Sequence, residues 1–378
     1  MSDKTNVLFD PQIFTMQRFG GISRYFFELI SRVEKELNVT FPIYYHINEY
    51  IREKYPNEYK NTFGWNFKGK DTIRDYLIRY SDKKRLNFLK NSARMVYHPT
   101  YYGTNPKDIP NDTPVVLTVY DMIHELFYDS RFEQQTTVSA QKANLIPRAD
   151  KIIAISENTK KDILELYPQI RAEKIQTIHL GSSMRFSSSK IDNDIQKSLD
   201  KDYFLYVGDR RFYKNFLWLL STILPFLTKT DTMLVVAGGG ELTSYEKKQI
   251  QLHGDDLSKS VLFMPSCTDE ELASLYTHAS IFLFPSKYEG FGIPILESFQ
   301  LGCPVLLPYS SCFPEVAENA AVYYELNEKD DFIDKIDKLY NDQILRKKMI
   351  SLGYERLKYF SWEKCSNEHI EIYNELGS

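Results

Sequence analysis

The chain has 378 residues, 43% of them apolar, and a formal net charge of −4. That is enough for two ordinary cores, and it leaves no global positive field to hold nucleic acid. Cys267, Cys303, Cys312 and Cys365 form no C-x-x-C pair and no histidine pair stands at metal spacing, which argues against a zinc site and a disulfide framework and fits a reducing cytoplasm. The opening "MSDKTNVLFDPQIF" lacks the pattern of a signal peptide, and no run reaches the roughly 18 apolar residues of a span. Any contact with the cytoplasmic face of a membrane is therefore expected to be peripheral.

In chain order, the apolar and β-branched runs "NVLFD", "TFPIYYH", "RMVYHPT", "PVVLTVYD", "KIIAIS" and "KIQTIHL" read as strands, each followed by a helical pattern. The series pauses at residues 181 to 202, a Ser- and Asp-rich stretch without apolar periodicity that reads as a linker. It resumes with "YFLYVGD", "MLVVAGG", "VLFMPS", "IFLFPS", "PVLLP" and "AVYYEL". Near-continuous apolar strands alternating with helices predict parallel sheets covered on both faces. The expected fold class is α/β: a doubly wound domain over 1–185, a second over 200–360, and a cleft between them. Ligands of such sheets bind outside the carboxyl ends of the strands, and every motif with chemistry in it follows a strand.

Gly20 and Gly21, in "QRFGGISRYFFELI", precede a helix whose N-terminus would favour an anion, although a plain strand-to-helix turn would also use them. The stretch "KGKDTIRDYLIRYSDKKRLNFLKNSAR", which runs from Lys68 to Arg94, is basic with interleaved aromatics. It suits an anionic membrane surface or a pyrophosphate-bearing acceptor or, more simply, a solvated helical face. His98 in "YHPTYYG", and His124 in "YDMIHELF", would each orient a hydroxyl or serve as a structural hydrogen-bonder, and Asp121 would meet substrate or cap the next turn. In "LYVGDRRFYKNF", Arg210, Arg211 and Lys214 would grip a diphosphate, unless they form a solvated basic turn. In "SKYEGFGIPILES", Gly290 and Gly292 free the backbone, Pro294 opens a helix, and Glu289 and Glu297 are suited to paired sugar or ribose hydroxyls. Helix-dipole stabilisation would equally explain Glu297, and a solvated loop would explain Glu289.

Together these residues resemble the retaining glycosyltransferases of family four, which have the GT-B fold of two Rossmann-like domains facing across a cleft. The likeness covers nearly the whole chain. Its most specific element is the E-x7-E pattern "EGFGIPILE", supported by "YVGDRRFYKN", "FGGISRY", "AISENTKKDIL", "TDEELASLYTHASIFLFPS" and the closing "FSWEKCSNEHIEIYNEL". The resemblance implies an N-terminal acceptor-binding domain, a C-terminal nucleotide-sugar-binding domain, and a last helix, 361–378, that packs back on the first domain. It implies catalytic roles for Glu289, His124, Lys214 and Arg210. It implies nucleotide-sugar contacts at Gly20, Gly21, Arg210, Arg211, Lys214, Gly239, Phe291, Gly292, Ile293 and Glu297, and acceptor contacts at Arg24, His98, Tyr120 and Asp121. Tyr120-Asp121 stands where many relatives have His-Asp, so a neighbour of His124 could hold its role. The substrates implied are a nucleotide-diphosphate sugar, with GDP-mannose favoured over UDP-sugars, and a hydroxyl of a glycan or lipid-linked acceptor in bacterial surface-polysaccharide synthesis. No metal and no cofactor is expected. A GT-B-like nucleotide-sugar epimerase and a non-catalytic sugar-nucleotide-binding subunit are the alternatives.

Overall fold

The computed structural model describes residues 4–55, 70–91, 95–127, 133–184, 199, 201–251 and 260–378. Most of the 181–202 linker, and both Lys68 and Arg94, lie outside the described residues. The chain divides into two compact units, Met1–Leu180 with Trp362–Ser378, and Gly181–Ser361.

The first unit holds strands β1 (Asn6–Phe9), β2 (Asn38–Thr40), β3 (Met95–His98), β4 (Val116–Val119), β5 (Lys151–Ala154) and β6 (Ile175–Thr177). They run parallel in the orders β2-β1-β3 and β4-β5-β6, with a bridge between Tyr97 and Val115 linking the two groups. β3 and β4 are buried along their whole length, as strands covered on both faces must be. β2 stops short of the predicted "TFPIYYH". It pairs through Asn38–Thr40, and Pro42 then lacks the N–H that a ladder needs, so the aromatics turn away to pack. Phe41 packs edge-on to Phe14, and Tyr44 to Tyr80.

The helix Gly21–Glu36 buries Tyr25, Phe26, Leu29, Ile30 and Val33, one face at helical spacing. The last helix, Trp362–Gly377, packs against it and against β3. The contact is polar at its centre. His98 bonds through Nδ1 to the Tyr373 hydroxyl at 2.6 Å and through Nε2 to Thr118 Oγ1 at 2.9 Å. His369 meets the Tyr25 hydroxyl at 2.6 Å and the Cys365 carbonyl at 2.7 Å. Both rings are fully buried and stack on one another at 6.1 Å. His98 was expected at the acceptor. Its two ring nitrogens are instead spent inside the core, so it fastens the last helix and presents no face to a substrate.

The second unit holds β7 (Tyr203–Val207), β8 (Met233–Ala237), β9 (Val261–Met264), β10 (Ile281–Leu283), β11 (Val305–Pro308) and β12 (Val322–Tyr324), parallel in the order β12-β11-β10-β7-β8-β9. Helix Phe216–Thr230 places Phe216, Leu219, Leu220 and Ile223 on Phe204, Tyr206 and Leu234. The strand order reverses between β7 and β10. The loops that follow these two strands therefore leave the same edge of the sheet side by side.

The buried imidazoles predict a pH dependence. Burial holds His369 at about 4. Burial, with the charge of His369 adding to it, holds His98 well below its usual value. Above about pH 6.5 both are neutral folded or unfolded, and stability is complete. As pH falls from there towards 4, the unfolded chain binds protons that the fold refuses. Stability then drops by about 1.4 kcal/mol per pH unit for each histidine. Urea titrations between pH 7.5 and pH 5 should show a falling midpoint, with a shallower fall in His369→Gln. Equal slopes in the two proteins would contradict this account.

Candidate active site

After β7 the backbone turns at Gly208, with φ +125°, and passes through a tight turn at Phe212–Lys214 to Asn215, at φ +58°. After β10 it runs to Gly292, at φ +88°, which precedes helix Ile293–Gln300 with Pro294 in its first turn. The Lys287 amide donates to the Tyr213 carbonyl at 2.8 Å and ties the two loops together. Lys214 Nζ then lies 2.7 Å from Glu289 Oε1, with side chains only 14% and 12% exposed. The ammonium also faces the rings of Tyr213 and Phe284, at 5.5 and 5.4 Å. Little water reaches this pair, so each charge is poorly screened except by the other.

Arg210 and Arg211 part company. Arg210 is 3% exposed, and its Nε lies 2.5 Å from Glu246. Its two terminal nitrogens donate to the carbonyls of Gly238, Gly239, Gly240 and Glu241 at 3.0 to 3.3 Å. Burial alone would raise the Glu246 carboxyl. The bonds from Arg210 and Thr243 outweigh burial and hold it below the usual carboxylate range. Arg210, expected on the diphosphate, is thus consumed in fixing the glycine turn after β8. Gly239 is required there: its φ is +77°, and a Cβ would stand 2.6 Å from Arg210 Nη1. Arg211 is largely exposed, with Nε 2.8 Å from Asp209 Oδ2.

Glu297 is buried in its helix, with the Tyr276 hydroxyl 3.4 Å from Oε2. Ile293 opens that helix, and Phe291 is buried against Phe360. The two carboxylates of the E-x7-E pattern therefore occupy different settings. Glu289 pairs with a cation in the loop, and Glu297 stands beside a phenol on the helix.

In the first unit, Gly20 caps the helix Gly21–Glu36 with extended backbone, and the Gln17 carboxamide accepts from the Ser23 amide at 3.1 Å. Part of that helix end is thus served by the chain's own amide. Arg24 is buried and donates to the Tyr50 hydroxyl at 3.1 and 3.2 Å. Tyr120 is buried and donates to the Thr100 carbonyl at 3.0 Å. Asp121 accepts from the Ile123 amide at 3.0 Å and stands 3.9 Å from His124 Nδ1. Beneath this turn lies Lys142, 1% exposed. Its ammonium donates to the Asp121 carbonyl at 2.8 Å and to Glu125 at 3.0 Å, over the Tyr102 ring. The sequence reading missed it, although Lys142 shares a buried stripe of helix Glu133–Arg148 with Leu145 and Ile146. A cation on a buried stripe is itself a signal. The basic helix Lys70–Asn91 turns one of its cations inward: Arg85 is buried and donates to the Tyr97 hydroxyl at 3.2 Å. Among the described residues no helix is long and apolar enough to cross a membrane.

Comparisons with known proteins bear on the family and the fold. The family model for glycosyl transferases group 1 matches residues 187–356. The O-antigen chain mannosyltransferase B of Escherichia coli is 26% identical over 299 residues, 76% of each chain. The O-antigen chain mannosyltransferase RfbU of Salmonella typhimurium is 27% identical over 207 residues, 55% of each chain, so that match spans about half of the relative. The structure of Anabaena HepE in complex with UDP-glucose superposes with a TM-score of 0.73 at 14% identity, covering 98% of this chain and 99% of that one. Such a likeness speaks for a shared fold, GT-B. Residues 187–356 thus resemble the group 1 glycosyl transferases, and the chain shares the GT-B fold.

Proposed function

We propose that the chain moves a hexose from a nucleotide-diphosphate sugar, GDP-mannose in preference to UDP-sugars, to a hydroxyl of a glycan or lipid-linked acceptor in surface-polysaccharide synthesis, with retention at the anomeric carbon. The observation that carries this reading is the desolvated Lys214–Glu289 pair, 2.7 Å apart where the strand order reverses. The O-antigen mannosyltransferases among its relatives support the choice of donor and acceptor.

The chemistry follows from the residue types. A diphosphate takes over Lys214, which leaves the Glu289 carboxylate to accept from sugar hydroxyls. The bond from the anomeric carbon to the β-phosphate oxygen breaks ahead of full attack. The acceptor oxygen bonds to the same face, and its proton passes to the departing phosphate oxygen. Lys214 stabilises the charge that grows on that oxygen, with Arg211 as the exposed second cation. Glu297 takes the ribose. In the first unit, the Asp121–His124 turn is the group we assign to substrate hydroxyls.

A thermal-shift panel should show GDP raising the melting temperature more than UDP, because only a ligand of the folded state stabilises it. Transfer from GDP-mannose should give a product of retained anomeric configuration and should persist in chelator. An inverted product, or activity lost to chelator and restored by metal, would overturn the mechanism. Lys214→Ala should lower kcat by about 10²-fold or more with the fold intact. Arg210→Gln should instead cost about 3 kcal/mol of stability, since it strands Glu246 and a row of carbonyls, whereas Arg211→Gln should stay within about 0.5 kcal/mol in urea unfolding. If Arg210→Gln proves fully stable, Arg210 does not fix the turn.

A further inference from the structure

The loop after β11 lies against the loop that carries Glu289. There the Ser311 hydroxyl accepts from the Glu289 amide at 3.1 Å and donates to the Glu289 carbonyl at 2.8 Å. Both main-chain groups of one residue are thus held by a single side chain. The next residue, Cys312, is fully buried, with its sulfur 3.2 Å from the Glu289 carbonyl and 3.2 Å from the Phe291 carbonyl. Burial, with the charges of Glu289 and Glu315 adding to it, pushes the Cys312 thiol well up, so it keeps its proton and remains a donor. On the other side, the Lys287 amide is fixed by Tyr213.

Ser311 makes these bonds from an uncommon backbone conformation. Its φ is +54°, a region where glycine and asparagine are at ease and serine is not. If only the turn mattered, glycine would serve better there. What serine adds is the hydroxyl, and the hydroxyl is spent on Glu289. With both flanking peptides fixed, the main chain from which the Glu289 side chain reaches Lys214 is held in place.

We propose that Ser311, backed by Cys312, is the positioning residue for Glu289 in sugar transfer: it sets the main chain from which the carboxylate reaches Lys214 and then the sugar. The proposal rests on the reading of Glu289 as a donor-sugar ligand.

Two variants test it on the full chain. Ser311→Gly relieves the backbone and removes the hydroxyl, and Ser311→Ala removes the hydroxyl and keeps the strain. The first readout needs no substrate: the coupling between Lys214 and Glu289, taken from a double-mutant cycle in urea, with and without Ser311→Gly. The second is kcat and donor KM with GDP-mannose. The expected result is that Ser311→Gly still unfolds in one cooperative transition, loses most of the Lys214–Glu289 coupling, and loses about 10- to 100-fold in kcat, with little further loss when combined with Glu289→Ala. Ser311→Ala should lose kcat to a similar degree. Undiminished coupling, or natural kcat in Ser311→Gly, overturns the proposal. Full turnover in Glu289→Ala sinks instead the reading of Glu289, and the coupling, measured without substrate, still decides whether Ser311 positions it.

Discussion

A charged pair between residues 75 positions apart in sequence, Lys214 and Glu289, exists because one parallel sheet reverses its strand order. Had β10 joined the outer edge beyond β9, the loop carrying Glu289 would have lain three strands from Lys214. The reversal puts β10 against β7, and the parallel direction sends both following loops off the same edge. Everything else in the second unit serves that adjacency. The apolar strands bury the sheet, left-handed glycines turn the chain after β7 and β8, and the Lys287–Tyr213 bond joins the two loops. A pair so shielded is weak evidence for stability, because desolvating two charges costs about what their attraction returns. Its persistence is easier to understand as readiness for a ligand that replaces one of the partners.

The first unit solves a different problem, that of keeping polar groups inside a core. Asp10 is buried at the end of β1 and accepts from the Thr100 amide and hydroxyl, the Gln12 amide and the Tyr97 hydroxyl. Lys142 answers Glu125 and a main-chain carbonyl. His98 and His369 each use both ring nitrogens. Each of these groups has at least one partner from a separate stretch of chain, so the polar groups fix how those stretches meet, which apolar contacts alone do loosely. The Asp121–His124 turn inherits its position from Lys142 in this way.

The alternation of strand and helix was legible because strands buried on both faces leave apolar runs that little else produces. β2 was misplaced for the same reason. "FPIYYH" is apolar and aromatic, yet Pro42 and the packing of Phe41 and Tyr44 overrule the pattern. Glu289 and Lys214 were legible as residue types after strands, but not as a pair, since contact depends on strand order. Arg210 and Arg211 are adjacent and identical in type, and only the structure separates the buried one from the exposed one. His98 looked like a site residue because a histidine after a strand carries no mark of what covers it, and here the cover comes from the last helix.

Ser311 carried no signal at all. A serine in a loop is ordinary, and its conformation and partners are tertiary facts. It shows where such sites hide their determinants. The carboxylate we assign to the ligand can be recognised from its motif, but the main chain that carries it is held by the neighbouring strand's loop, through bonds that any residue at 289 would also make. The arrangement also explains why the site tolerates a loop built on glycines. Gly292 turns the chain at φ +88°, and the hydroxyl and thiol from the next loop hold the main chain at Glu289.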